Sequence, residues 1–535
     1  MMKSSRIQRK YQVVIVGGGP VGVGLAIELG LRGISLAVVE KYHAPQLIPK
    51  GQNLTQRTLE HFYFWGIETE LRAARTMPRD FPIGGMTCYG TLLSEYAFPW
   101  LKRELVRPFY FTDNERLPQY ATERVLRDKM ATLPNVDAYF GFAAETVTQT
   151  ESAAHVVAKA RGGNEALALS ADYVVGCDGS RSVVRQQAGL EQTLSDHDKL
   201  MVLLVFRSAE LHELVSERYP GKSFFKVLHP DYEGYWRFFG RVDPHSWFFH
   251  CPVPATTTRD NTNFAALIQE AAGAEFNVEL EHVGFWDLRF AVANSYRQDR
   301  IFIAGDACHS HPPYGGYGIN MGFEDARNLG WKLAATLQGW GSETLLDSYS
   351  DERQPVFASL AEHFIARSIN VDRQFVATYN PAINQAAFEH AWQNEQTQAS
   401  KNVDKFEPNY EGSKIIADAQ NKTSSAIGQH QFAARAGHHL APQPLSSGQN
   451  VYEQFGDGFT LLAFGASDEQ VTAFEAAADE NGLPLTVVRD RYLDERQQYK
   501  SRLILVRPDQ FVAWAGDAAD NPLTILFEAT GKLAI

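Results

Sequence analysis

The sequence predicts an α/β protein built on a Rossmann-like dinucleotide domain, with a mixed β-sheet domain inserted into it and a small α/β domain at its end. Three observations carry that expectation. Tyr11–Val16 (YQVVIV) is an apolar run of strand character that leads straight into Gly17-Gly18-Gly19-Pro20-Val21-Gly22, a G-x-G-x-x-G motif. A helical run over Val23–Arg32 and a second strand, Ser35–Val39, follow, and that strand ends in Glu40, 18 residues after Gly22. Far downstream, the apolar run Arg300–Ala304 delivers Gly305-Asp306 to another strand end, ahead of Pro312-Pro313 and Gly315-Gly316-Tyr317-Gly318.

Each element has a physical reason. Gly17 turns the chain, Gly19 admits a pyrophosphate, Gly22 lets helix meet strand, and Glu40 takes ribose hydroxyls. These features do not separate NAD from FAD, because both carry the same ADP half. An amphipathic helix is expected over Thr55–Ile67. Residues 77–117 mix Pro and Gly with aromatics, which argues for short strands and loops. Asp172–Asp178 (DYVVGCD) is another strand that delivers a carboxylate. Lys199–Phe206, Ser223–His229, Gly234–Phe239 and Ser246–Pro252 are rich in Phe, Tyr, Trp and Val and read as sheet. Tyr235, Arg237 and His250 are the polar residues of that sheet worth testing against a bound molecule.

The loop after Asp306 is built for something flat. Pro312-Pro313 blocks an immediate helix, and the glycines let backbone N–H groups approach a planar ring. A helix expected at Phe323–Gln338 turns its positive end toward that loop. Ala386–Ala399 can be helical, and Phe432–Leu445 is a Pro/Gly-punctuated connector. Beyond it, Phe459–Phe464, a helix over Ser467–Asn481, Leu485–Val488, Arg502–Val506 and Phe511–Trp514 give strand–helix–strand–strand–strand.

The 535 residues leave room for about three domains, and 44% hydrophobic content supplies their cores. A net charge of −13, without a strong basic block past the amino terminus, disfavours nucleic-acid binding. No secretory h-region precedes the first strand, and Val13–Val39 is broken by glycines, Pro20, Glu28 and Arg32, so no membrane role is expected and a cytoplasmic protein is the default. Cys88, Cys177, Cys251 and Cys308 are scattered with no C-x-x-C pair, which reads as reduced thiols and no metal site.

GGGPVG, Gly176-Cys177-Asp178-Gly179-Ser180-Arg181-Ser182 and Gly305-Asp306 together resemble the three fingerprints of the group A flavoprotein monooxygenases, the para-hydroxybenzoate hydroxylase-like aromatic hydroxylases. Gln56–Glu60, Pro118-Gln119 with Glu123-Arg124, Asp325–Leu333, and Tyr349 with Glu352–Pro355 extend the resemblance over most of residues 10–370. It implies an FAD-binding domain from 1–76, 118–198 and 291–370, a substrate-binding sheet domain from 77–117 and 199–290, and a helical connector over 371–449. Residues 450–535 resemble the thioredoxin-like domain of phenol hydroxylase-type members, and the lack of any cysteine after Cys308 excludes a thiol role there.

The resemblance further implies hydroxylation of a phenolic or related aromatic substrate with NADH or NADPH and O2, through a flavin C4a-hydroperoxide. FAD would be held by Gly17, Gly19, Pro20, Val21, Gly22, Glu40 and Lys41, with Arg57, Gln119, Asp178 and Gly179. Asp306 would take the ribityl chain, and Gly316, Gly318, Ile319 and Asn320 would meet the flavin's pyrimidine edge. Pro313 would touch the substrate side of the ring; the sequence does not name the general base, for which His309 and His311 have a suitable ordinary pKa of about 6.5. Tyr314 and Tyr317 depart from the family's usual residues. A flavin reductase of the same fold, or a non-catalytic flavoprotein module, would share these motifs. A homodimer is left open.

Overall fold

In a computed structural model, residues 6–100, 102–195, 199–232 and 234–532 are described. Arg6–Val16 lies at the centre of the first sheet, parallel to Ala166–Gly176 on one side and Leu36–Glu40 on the other. Ile301–Ile303 and Val136–Phe140 extend the parallel order outward. Consecutive Val13, Val14 and Ile15 are all solvent-inaccessible, as a parallel strand covered on both faces requires. The carboxyl ends of three strands are thereby brought together: Cys177 N donates to Val16 O at 2.7 Å, and Ala304 N donates to Gly176 O at 2.9 Å. Gly17, Asp178 and Asp306, up to 289 positions apart in the sequence, thus become neighbours at one edge.

The second sheet runs Glu279–Asp287, Leu200–Arg207, Ser246–Val253, Trp236–Arg241, Phe224–Leu228, Gly85–Tyr89, Ala97–Trp100. All neighbours are antiparallel except Phe224–Leu228 with Gly85–Tyr89. The 77–117 segment contributes two of its three short strands here, and the third, Glu115–Arg116, pairs with Asn53–Leu54. Helices Ala209–Arg218 and Phe264–Ala272 bury Leu211, Val215, Phe264 and Ile268 against one face, with Phe225, Phe239 and Phe249. Phe238 and His250, opposite each other in register, belong to the other face.

Two helix starts differ from the sequence reading. Pro20 occupies the first turn of the helix Pro20–Leu31, where its missing N–H costs nothing. The long helix Tyr317–Leu337 begins six residues before Phe323. Gly316, at φ 70°, turns the chain into it, and the Asn320 side chain ties its first turn to Asn53 O and Gly316 O. Gly318, Ile319 and Asn320 are therefore helical rather than loop residues.

The carboxyl-terminal sheet has the order Leu485–Asp490, Phe459–Phe464, Leu503–Val506, Val512–Gly516, with the first pair parallel and the others antiparallel. Helices Asp468–Glu480 and Pro522–Ala529 pack on it through Val471, Phe474 and Leu526. The order is thioredoxin-like. Its hairpin tip, Arg507–Phe511, enters the first domain: Trp331 Nε1 donates to Asp509 Oδ2 at 3.0 Å, and Arg57 donates to Asp509 O at 2.6 Å.

Candidate active site

A cavity of about 840 Å3 runs from the strand ends of the first sheet to the aromatic face of the second. At its first end the chain is shaped by contact rather than by flexibility. An added Cβ on Gly17 (φ 107°) would stand 2.3 Å from Cys177 O, and one on Gly22 would stand 1.9 Å from Gly17 O. Gly22 is thus a packing residue and does not line the cavity. Gly19 is the opposite case: a Cβ there would meet no atom within 4 Å, so its backbone faces open space.

Two carboxylates flank this opening. Glu40 is held by Gly18 N at 2.7 Å and Tyr42 N at 2.8 Å. Asp178 accepts from Val183 N and Val184 N through Oδ2, while its buried Oδ1 has no partner in the protein. A third carboxylate, Asp306, lies in the turn Gly305–Ala307 and opens onto the cavity. Gly305 there has φ 63° and lies against Val21. The turn is fixed from behind by Asp325, which accepts from Gly305 N at 3.0 Å and from Arg353 Nε at 2.7 Å. Pro20, Val21, Lys41, Gln119 and Gly179 complete this end of the lining.

Gly316, Gly318 and Ile319 line the middle, at the amino end of the long helix, where free N–H groups and the helix dipole favour negative charge. Pro313 and His311 stand next to them. Burial pushes the His311 imidazole down to about 4, and its Nε2 has no partner in the protein. The far wall is apolar: Leu203, Phe224, Phe238 and Phe248, with Trp100, His250 and Trp286. Three atoms of that wall, Trp100 Nε1, His250 Nδ1 and Trp286 Nε1, are buried without a hydrogen bond. Burial also holds His250 down at about 4, so it is neutral near pH 7.

Besides Gly22, five sequence-derived site residues do not line this cavity. Arg57 turns away to Glu324 (3.0 Å), Glu60 (3.0 Å) and the hairpin tip of the last domain. The Asn320 side chain is consumed by Thr55 N, Thr58 Oγ1, Asn53 O and Gly316 O. His309 is buried against Phe357, with ring centroids 4.0 Å apart, and its Nε2 pairs with Asp325 at 2.7 Å. Tyr235 packs in the core with Trp236 and Phe375. Arg237, on the sheet's other face, binds Glu270 at 2.6 Å and the Tyr232 hydroxyl. Strand alternation is the reason for the last: whenever Phe238 faces the cavity, Arg237 cannot. Gln52, Asn53, Trp100, His282 and Trp286 line it without having been singled out from the sequence.

The glycine cradle, three strand-end carboxylates, a helix amino end and an unpartnered Asp178 oxygen fit the ribose, pyrophosphate, ribityl and ring parts of a flavin dinucleotide. Fold and site together define a dinucleotide-type flavoprotein. The family model described as FAD binding domain matches residues 10–363, and that described as aromatic-ring hydroxylase, C-terminal, matches residues 433–532. The chain is 30% identical to 4-methyl-5-nitrocatechol 5-monooxygenase of a Burkholderia species, over 97% of this chain and 96% of that one. It is 29% identical to a rifampicin monooxygenase of Streptomyces venezuelae, over 96% and 97%. Among solved structures, the rebeccamycin biosynthetic enzyme RebC with reduced flavin superposes with a TM-score of 0.84 at 25% identity, covering 99% of this chain and 100% of that one. The chain belongs to the FAD-binding aromatic-ring hydroxylases, and it is an FAD-dependent monooxygenase that works with a reduced nicotinamide and O2.

Proposed function

We propose that the protein hydroxylates a small phenolic ring held between Pro313 and the aromatic face of the second sheet. The observation that carries this reading is the pair of unpartnered polar atoms on an otherwise apolar wall, His250 Nδ1 and Trp286 Nε1, whose rings lie 5.7 Å apart, together with His311 Nε2 in the lining of the same cavity. Buried polar atoms are ordinarily paired, so a cluster without partners supports a ligand with a few polar groups on a flat apolar body. Bound FAD supplies the redox chemistry with nicotinamide and O2.

The chain's own residues have distinct tasks in this reading. Glu40 takes the adenosine ribose, Asp306 the ribityl hydroxyls, and the amides of Gly318 and Ile319 face negative charge on the ring system. The Trp286 indole N–H donates to the substrate's phenolic oxygen and favours its ionised form. His311, neutral near pH 7, can accept a hydrogen bond from the phenolic hydroxyl at Nε2. The Phe224, Phe238 and Phe248 rings keep water away from the reacting atoms. Residues 1–76, 118–198 and 291–370 form the flavin-binding part and 77–117 with 199–290 the substrate part, joined through 371–449 to the domain at 450–535.

The test is the fate of oxygen. With purified protein, a panel of phenols and catechols, starting from 4-methyl-5-nitrocatechol, is screened for stimulated NADH or NADPH oxidation. Under 18O2 the true substrate gains one labelled atom per nicotinamide oxidised. Anaerobic turnover, or product oxygen drawn from water alone, would remove the hydroxylase reading.

A further inference from the structure

Beside the Gly315-Gly316 turn lies a second, smaller cavity of about 60 Å3, walled by Val106, Phe109, Tyr317, Phe406 and Phe511. Tyr317 lines both cavities, so the two are neighbours across one side chain. Two arginines face the smaller one. Arg57 is neutralised by Glu60 and Glu324, each at 3.0 Å. Arg103 is not. It is 6% exposed, its Nε has no hydrogen-bond partner, and among the described residues no carboxylate forms an ion pair with it. Its guanidinium lies 6.0 Å from the centre of the Tyr317 ring.

The acids of the cavity are already engaged. Glu324 is taken by Arg57 and by His61 at 2.9 Å. Glu407 is taken by Arg435 at 3.1 Å and His438 at 2.7 Å. The imidazoles are occupied too: His430 by the Tyr110 hydroxyl and Asp404 O, His439 by Glu60 and Tyr452. A guanidinium taken largely out of bulk water without a counter-charge is unfavourable, because burial strips away part of its hydration. The planar fork of an arginine also matches a carboxylate or a spherical anion better than it matches water.

We propose that this cavity binds a small monoanion, a halide or a carboxylate no larger than acetate, on the Arg103 guanidinium. The size follows from the volume, since a single water needs about 10–15 Å3 of such space and a ring system far more than the cavity offers. Gln431, exposed at the rim, marks the way in. An anion here neutralises the Arg103 cation beside Tyr317 and so fixes a residue that also borders the flavin cavity. The site stands apart from the hydroxylase reading and does not depend on it.

Crystals of the full-length holoenzyme soaked in bromide test the site directly by anomalous scattering. The expected result is a bromide in contact with Arg103. In solution, thermal unfolding at constant ionic strength is followed as gluconate, too large to enter, is exchanged for chloride, bromide or formate. Tm should rise with the concentration of each small anion in the wild type, as a ligand of the folded state requires, and the rise should be lost in Arg103→Gln. Crystals with water alone at Arg103, or an equal rise in Arg103→Gln, would overturn the proposal. The crystal result stands even if the variant fails to fold.

Discussion

The flavin cavity and the seam between the first and last domains bury similar polar groups in opposite ways. Along the cavity, Gln52 Nε2, Asp178 Oδ1, Trp286 Nε1 and His311 Nε2 are out of contact with solvent and without partners. At the seam, Arg507 binds Glu352 at 2.7 and 2.9 Å and Asp509 at 3.0 and 2.6 Å, and Lys332 binds Glu352 at 2.6 Å. These four charged side chains are wholly inaccessible. The seam also holds unpaired atoms, Arg327 Nε and Asn328 Oδ1, but its charged groups are paired within the chain, whereas the unpaired atoms of the cavity lie where a ligand would complete the structure. The carboxylates illustrate it: Glu352 is held below its ordinary range despite burial, chiefly by Arg507 and Lys332, whereas Asp178 keeps one oxygen in reserve.

The sharpest way to break this contrast is to unpair the seam. Arg507→Met strands Glu352 and Asp509 in the interior, and urea unfolding should show a loss of about 3–5 kcal/mol. A loss below about 1 kcal/mol would mean the seam is wet and the contrast false. At the cavity, Asp306→Ala should leave the fold stable and weaken FAD by about 1.5–3 kcal/mol, read by flavin fluorescence titration. Unchanged FAD affinity would show that Asp306 does not bind the cofactor.

A third test uses pH. Burial first, and then the charge of Arg57, lower the His61 imidazole to about 4 in spite of Glu324. The unfolded chain therefore takes up this proton earlier as pH falls. The stabilising contribution is whole above about pH 6.5 and drains away toward pH 4, at no more than about 1.4 kcal/mol per pH unit. His61→Gln should flatten that part of the stability profile, measured by urea midpoints at about pH 7 and about pH 5. The smallest effect on the fold is expected from Trp286→Phe, which removes an N–H that has no partner in the protein. Stability should change by less than about 0.5 kcal/mol, while kcat/KM for the phenolic substrate falls about tenfold or more. A large stability loss with unaltered kinetics would assign that N–H to the core instead.

What could be read from the sequence was what local geometry dictates. Gly17, Gly19, Glu40, Asp178 and Asp306 each sit at a strand end, and a strand end followed by glycine can be recognised without knowing its neighbours. The six residues misplaced toward the cavity were those whose direction is set by distant partners or by packing. Arg57 answers to Asp509 and Gln510, 452 and 453 positions away. Asn320 answers to Asn53 and Thr55. His309 is claimed by Asp325, Arg237 by strand parity and Glu270, Tyr235 by the core around Phe375, and Gly22 by the close approach of Gly17. The orphaned indoles of Trp100 and Trp286 had no sequence signal at all, because an aromatic residue in a strand reads as core whether or not its N–H finds a partner.

The hairpin tip also sets an order of events during synthesis. Glu352 and Arg507 are 155 residues apart, so at about 5–20 residues per second the ribosome releases the acid about eight to thirty seconds before the base that neutralises it. Throughout that interval Glu352 has Lys332 beside it but no guanidinium, and the hollow that receives the tip stays hydrated. The nascent flavin domain can thus assemble its central sheet early, yet it locks when the last domain has folded and delivered Arg507. A chain broken off before that point would carry an unsealed domain with exposed buried-type charge, a form that cellular proteases can distinguish from the finished protein.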